Sequence, residues 1–155
     1  MTKKNKMSID FKNFEEYAEK LEALGGDLKA TAEEALKVTH EYITPNLKRD
    51  IAKHRKSGKT ERSLIEKAEV TWEGTVASCP IGFDLANGGL ASLFLMYGTP
   101  KHAPANQYGR YSGEVAGIEK GEELYNDIYG PRTKREVKKL QEEVFAKAIK
   151  KRMGG

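Results

Sequence analysis

The residues able to do chemistry in this chain are few, and their spacing argues against most of it. Ser57-Gly58-Lys59-Thr60 carries the ending of a phosphate-binding loop. Such a loop cradles phosphate with backbone amides between a strand and a helix, and it needs an earlier glycine where this chain has Lys53. A helical pattern precedes it here, so no nucleotide cradle is expected. A thiol nucleophile would need Cys79 beside a base in a cleft that lowers its pKa. Cys79 instead sits mid-strand among Ala77, Ile81 and Phe83, just before Pro80, a place for a small buried hydrophobe. His40, His54 and His102 are scattered, and neither a CxxC nor an HExxH spacing exists, so no metal site is expected. Glu15-Glu16, Glu33-Glu34 and Glu142-Glu143 are adjacent pairs on helices. Neighbouring helix positions point about 100° apart and do not converge on one substrate atom. The expectation is a protein without cofactor or catalytic constellation.

What remains is charge. Lys53, Arg55, Lys56, Lys59 and Arg62 cluster in a polar loop between a helix end and a turn. Residues 48–62 hold 7 basic and 2 acidic side chains, a net +5. Residues 132–152 hold 9 basic and 3 acidic, a net +6, whereas residues 10–41 hold 9 acidic and 4 basic, a net −5. Segregation of this kind suits an acidic polymer or a neighbouring copy whose opposite edge faces it; it equally describes solvated helix faces. The five cations of the loop are the candidate contacts for a nucleic-acid backbone or a partner. Few aromatics interleave with them, so base stacking is not supported.

The elements that must position these residues are legible from periodicity. A chain of 155 residues with 38% hydrophobic and 32% charged side chains fits a single domain spanning residues 1–155. No stretch approaches the roughly 20 apolar residues of a membrane span. The basic start lacks an apolar signal core, and a lone cysteine makes an internal disulfide impossible, so a cytosolic setting is the default.

A strand over about Ser8 to Phe11 opens the domain, followed by a helix capped by Asn13 and ended by Gly25-Gly26. Asp27 caps a long second helix whose apolar stripe runs from Leu28 through Leu36, Ile43 and Leu47 to Ile51. Pro45 either kinks that helix or starts a new one capped by Thr44. After the basic loop, a helical turn covers about Thr60 to Ile65. A hairpin follows, 68–72 against 75–83, turning at Glu73-Gly74. Leu90 to Tyr97 reads as a short helix leading into a strand, or as a buried strand. Gly109, Gly113, Gly117 and Gly121 mark residues 101–121 as a Gly-rich loop. A short helix over Glu122 to Tyr129 precedes a last helix, capped by Thr133 with Glu136, whose stripe is Val137, Leu140, Val144, Ala148 and Ile149. The fold class is α+β: a small antiparallel β-sheet packed against a long helix, kinked or straight, and a C-terminal helix.

The order of these pieces resembles the lambdoid-type tail-completion, or neck (head–tail joining), proteins of tailed phages and prophages. Four stretches carry the likeness: the opening strand and helix ending Leu24-Gly25-Gly26, the long helix from Leu28, the turn Ser57-Gly58-Lys59-Thr60-Glu61-Arg62-Ser63-Leu64, and Phe94-Leu95-Met96-Tyr97-Gly98-Thr99 before a closing helix. Thr60 and Met96 depart from the family pattern, and the Gly-rich stretch is longer. The resemblance implies a structural virion protein of the connector region, assembled in the host cytoplasm and working as a homo-oligomeric ring around the DNA channel. Implied partners are further copies of itself, connector or stopper proteins, and tail-terminator or tail-tube proteins, with non-specific DNA contact through the basic loop and no membrane. The alternative reading is a small basic nucleic-acid-binding module.

Overall fold

The computed structural model describes residues 6–8, 14–55, 57–98 and 121–154. Three strands and six α-helices are formed by these residues: β1 (Lys6–Ser8), α1 (Phe14–Ala23), α2 (Leu28–Ala52), α3 (Lys59–Arg62), β2 (Thr71–Glu73), β3 (Val76–Pro80), α4 (Leu90–Tyr97), α5 (Glu122–Tyr129) and α6 (Pro131–Gly154). The architecture is α+β, a small antiparallel sheet beside a helical body built on α2 and α6. Among the described residues no helix is long and apolar enough to cross a membrane.

The sheet has the order β1-β3-β2. Its hairpin turns as the sequence suggests, with Glu73 paired to Val76 and Gly74 at φ +62° as the first of two loop residues. That is the position where a two-residue hairpin loop needs a positive φ, which glycine adopts without a Cβ clash. The opening strand lies earlier than expected. Pairing with β3 sets Met7 opposite Cys79 and Ser8 opposite Ser78, so the ladder uses Lys6–Ser8. Residues 9–13, including the expected Asn13 cap, lie outside the described residues, as does the Gly-rich loop up to residue 120. The second hairpin strand stops at Pro80 rather than Phe83; Phe83 is buried and makes an isolated bridge to Leu64.

The long helix α2 runs unbroken through Pro45 for 25 residues, a length of about 37 Å. Asp27 caps it, its Oδ1 accepting from the Ala30 amide at 2.9 Å. The new-helix reading at Thr44 therefore fails; buried contacts on either side of exposed Pro45 hold the helix together. Leu90 to Tyr97 is a helix and not a strand, closed by Gly98 at φ +74°. The last helix begins at Pro131, whose missing N–H costs nothing at a first helical position. Thr133 is thus not its cap. It lies in the first turn, and its Oγ1 donates to the Asn126 carbonyl at 2.7 Å, tying α6 to α5.

Two apolar clusters flank the body. One gathers Ile43, Leu47 and Ile51 of α2 with Ile81, Phe83, Met96, Leu124 and Val137; the other joins Leu21, Ala32 and Ala35 to Phe145 and Ile149 of α6. Burying each large side chain contributes about 1.5–3 kcal/mol. Between α2 and α6 runs a polar link: Gln141 Nε2 donates to Thr39 Oγ1 at 3.0 Å, and that hydroxyl donates to the Ala35 carbonyl at 2.8 Å. The buried row on α6 is Thr133, Val137, Gln141, Phe145 and Ile149, so the expected stripe through Leu140, Val144 and Ala148 is its half-buried flank. The sheet is fastened to α2 by Trp72, whose Nε1 donates to Glu33 at 2.8 Å beneath the Lys29 ammonium, 5.1 Å from the ring.

Candidate functional site at the basic end of the long helix

The basic segment begins in the last turns of α2, crosses a loop and ends in the single turn of α3. Gly58 permits that path: it sits at φ +76°, and a Cβ there would meet the Arg62 guanidinium at 3.1 Å. The loop does not form a phosphate cradle. The Lys59 amide turns onto Ser57 Oγ at 3.3 Å, and Arg62 Nη1 donates to the Ser57 carbonyl at 3.4 Å.

The four described residues among the five candidate contacts differ in their surroundings. Lys53 Nζ lies 2.7 Å from Glu123 and 3.3 Å from Asp50, and these hydrogen bonds and charges raise its pKa. Arg55 forms a two-pronged pair with Glu61, which holds the Glu61 carboxyl below its ordinary range. Lys56 lies outside the described residues. Lys59 lays its stem over Gly88, where a Cβ would come within 2.8 Å of Lys59 Cγ. Among the described residues, Lys59 and Arg62 have no carboxylate within ion-pair distance. Lys48 and Arg49 are also engaged, with Glu66 at 3.0 Å and Asp50 at 3.2 Å. Glu66 and Glu123, from outside residues 48–62, thus lower the net +5 of this segment to +3 in space. A cleft of about 700 Å³ here is lined by Lys48, Arg55 and Arg62 but also by Glu61 and Glu66.

The segregation of charge along the sequence is also partly undone in space. α6 packs along both α1 and α2, so the basic end of α6 meets the acidic beginning of α2. Lys147, Lys150, Lys151 and Arg152 line one cleft together with Asp27 and Glu34. These opposite charges share a flank of the same molecule.

The remaining candidates keep their structural roles. Cys79 is fully buried, and desolvation pushes its thiol up, away from the reactive thiolate. His40 is buried, with Nε2 at 3.0 Å from the Ile65 carbonyl and Nδ1 at 3.3 Å from Thr44 Oγ1. A carbonyl can only accept, so Nε2 carries the proton and Nδ1 accepts from Thr44. Burial lowers the pKa of this neutral ring. Among the described residues no group of three or more His, Cys, Asp or Glu side chains comes together as metal ligands.

Sequence reasoning missed a second cleft, of about 730 Å³, between α2, α5 and the start of α6. At its edge Asp50 and Asp127, 77 positions apart in sequence, bring their carboxyls within reach of each other. Asp50 is almost wholly buried, and Arg49 and Lys53 both reach it. A signal for both acids existed. Asp50 falls on the inward stripe of Ile43, Leu47 and Ile51, and Asp127 on that of Leu124 and Ile128.

The outer side of α4 presents a different surface. Leu90, Phe94 and Tyr97 are 54%, 46% and 55% exposed, while Ser92 and Met96 face inward. Spacing of four and three residues aligns the exposed three on one face. Tyr97 continues this face onto α5, its ring 5.8 Å from that of Tyr125, which stands 5.3 Å from Tyr129.

Comparison of the chain with family models, with curated proteins and with solved structures gives no match.

Proposed function

We propose that this chain is a structural joining subunit of a tailed-phage or prophage virion, acting between the portal–connector stack and the tail tube as a ring of identical copies. The observation that carries the reading is the exposed apolar face of α4. Three large side chains at Leu90, Phe94 and Tyr97 stand outward together on one helix, whereas Leu24, Val76 and Met153 are exposed on other elements. A contiguous face of this kind marks a surface that associates. It overlaps Phe94 to Thr99, one of the stretches on which the resemblance to neck proteins rests. Because the acidic and basic ends of α2 and α6 already face each other, association between copies rests on this apolar face more than on charge. A ring needs one surface to meet a different one, and the outward face of α4 would supply one of the two.

The test is size-exclusion chromatography with light scattering at low and high salt, on the wild type and on Phe94→Glu/Tyr97→Glu. The wild type is expected to assemble in a salt-resistant way. The variant is expected to be a folded monomer and to leave tails and filled heads unjoined in a complementation assay. A variant that joins heads to tails as well as the wild type would remove the proposal.

The nucleic-acid-binding alternative rests on a narrower base, the two cations Lys59 and Arg62 that lack acidic partners among the described residues. It predicts salt-dependent binding of duplex DNA by the isolated monomer.

A further inference from the structure

We propose that Asp50 and Asp127 share a single proton, and that this proton is a latch holding α5 on α2 which opens when the proton is lost. The inference is independent of the virion reading. Its first support is an accounting of donors. Asp127 Oδ2 is buried from water and has no N–H or O–H partner among the described residues. A buried carboxylate oxygen without a donor is costly, and two ionised carboxylates side by side offer none to each other. A proton between them supplies the missing donor and removes the repulsion at once, as in other carboxyl pairs.

The surroundings say which acid holds it. From α2, Arg49 approaches Asp50 at 3.2 Å and Lys53 at 3.3 Å, so Asp50 keeps its negative charge. Burial alone would raise Asp50; hydrogen bonds from Asp127, Arg49 and Lys53 outweigh it and bring it down to about 2. Asp127 is pushed up to about 8, first by burial, then by the hydrogen bond and charge of Asp50. Glu123, on the same helix, adds to the rise, and Arg49 opposes it without reversing it. Tyr42 of α2 and Arg132 of α6 complete the titratable and charged lining of the cleft. Asp127 is therefore the donor and Asp50 the acceptor.

The consequence reaches beyond the pair because of what α5 carries. The helix has eight residues between Gly121 and Gly130, and only Leu124 and Ile128 are buried. Those two pack with Ile43, Leu47 and Ile51 of α2, and the exposed Lys53–Glu123 pair at 2.7 Å adds a polar tie. On its outer side Tyr125 and Tyr129 extend the aromatic face begun by Tyr97. Loss of the shared proton sets the half-buried Asp127 carboxylate of this short helix against the buried one of Asp50 on α2 and loosens its seat. The direction with pH follows. The folded state holds a proton that the unfolded chain releases near the ordinary value of 3.8. The stabilisation is complete below that value and is lost as pH rises toward about 8.

Asp127→Asn tests this, since its amide supplies an N–H donor that cannot dissociate. Between about pH 6 and about pH 9 the wild-type Tm is expected to fall by about 5 °C more than that of the variant. Amide exchange across residues 122–129, corrected for its intrinsic pH dependence, is expected to accelerate in the wild type and not in the variant. Parallel Tm curves would overturn the proposal. Should the variant not fold, carboxyl-carbon NMR of the wild type decides the matter: a titration of Asp127 near pH 8 supports the latch, and one in the ordinary aspartate range sinks it.

Discussion

Arg55 holds Glu61 through two parallel hydrogen bonds of 2.6 Å, Nε to Oε2 and Nη2 to Oε1. A guanidinium engaged in this fork has little left to offer a phosphate. The same holds for Lys53 between Glu123 and Asp50.

The division of labour among the loop cations can be read from salt dependence. In a titration of duplex-DNA binding, Lys59→Ala/Arg62→Ala is expected to lower the slope of log K against log salt by roughly 2, close to one unit per lost phosphate contact. Lys53→Ala/Arg55→Ala is expected to change it by less than about 0.5. Equal losses from both variants would show that the ion pairs open to admit the polyanion.

Acid acts on the fold through His40. Its pKa in the folded state is depressed by burial from an ordinary 6.5, so its stabilising effect is full above that value and is lost as pH falls toward the folded pKa. Urea unfolding at about pH 7 and about pH 5 measures the loss. The wild type is expected to lose more stability than His40→Gln, which has no ring to protonate. If the two lose the same amount, His40 is not the group responsible.

Pro45 sits on the exposed side of an unbroken helix and leaves its turn without one N–H donor. Pro45→Ala restores that donor and removes the ring clash, so the variant is expected to be more stable by roughly 1 to 3 kcal/mol in denaturant unfolding. A destabilised variant would mean that the proline imposes a bend which the packing of α2 requires.

How far the sequence foretold this molecule depended on how clearly the apolar residues of an element mark one face. α2 was legible because Leu36, Ile43, Leu47 and Ile51 keep a helical period even though Thr39, His40 and Asp50 share the buried face, and α5 was placed at its observed bounds. α6 was found but rotated in the reading, because Gln141 stands in the middle of its buried row and masks the alignment of Val137 with Phe145. α4 was ambiguous for the opposite reason. Its eight residues are apolar on both faces, so period alone could not separate helix from strand. The basic loop was placed between α2 and α3, but its ion pairs were not foreseen, because partners such as Glu123 stand 70 positions away from Lys53. Asp50 and Asp127 escaped notice because Asp50 entered only the charge count of the basic segment and Asp127 was not singled out, although both lie on inward stripes.

The bond between Gln141 and Thr39 bears on how α2 and α6 find each other. Hydrocarbon side chains are indifferent to a slip of one turn, about 5.4 Å along the axis, since one aliphatic contact replaces another. The Gln141 amide is not, because any slip would strand it in a buried seam, whereas Thr39 keeps its bond to the Ala35 carbonyl. This single polar couple therefore indexes the two longest helices, discriminating one alignment from its near neighbours more than it adds strength. Replacing Thr39 and Gln141 together by aliphatic residues would leave a body that still collapses but has lost the mark by which its helices choose their position.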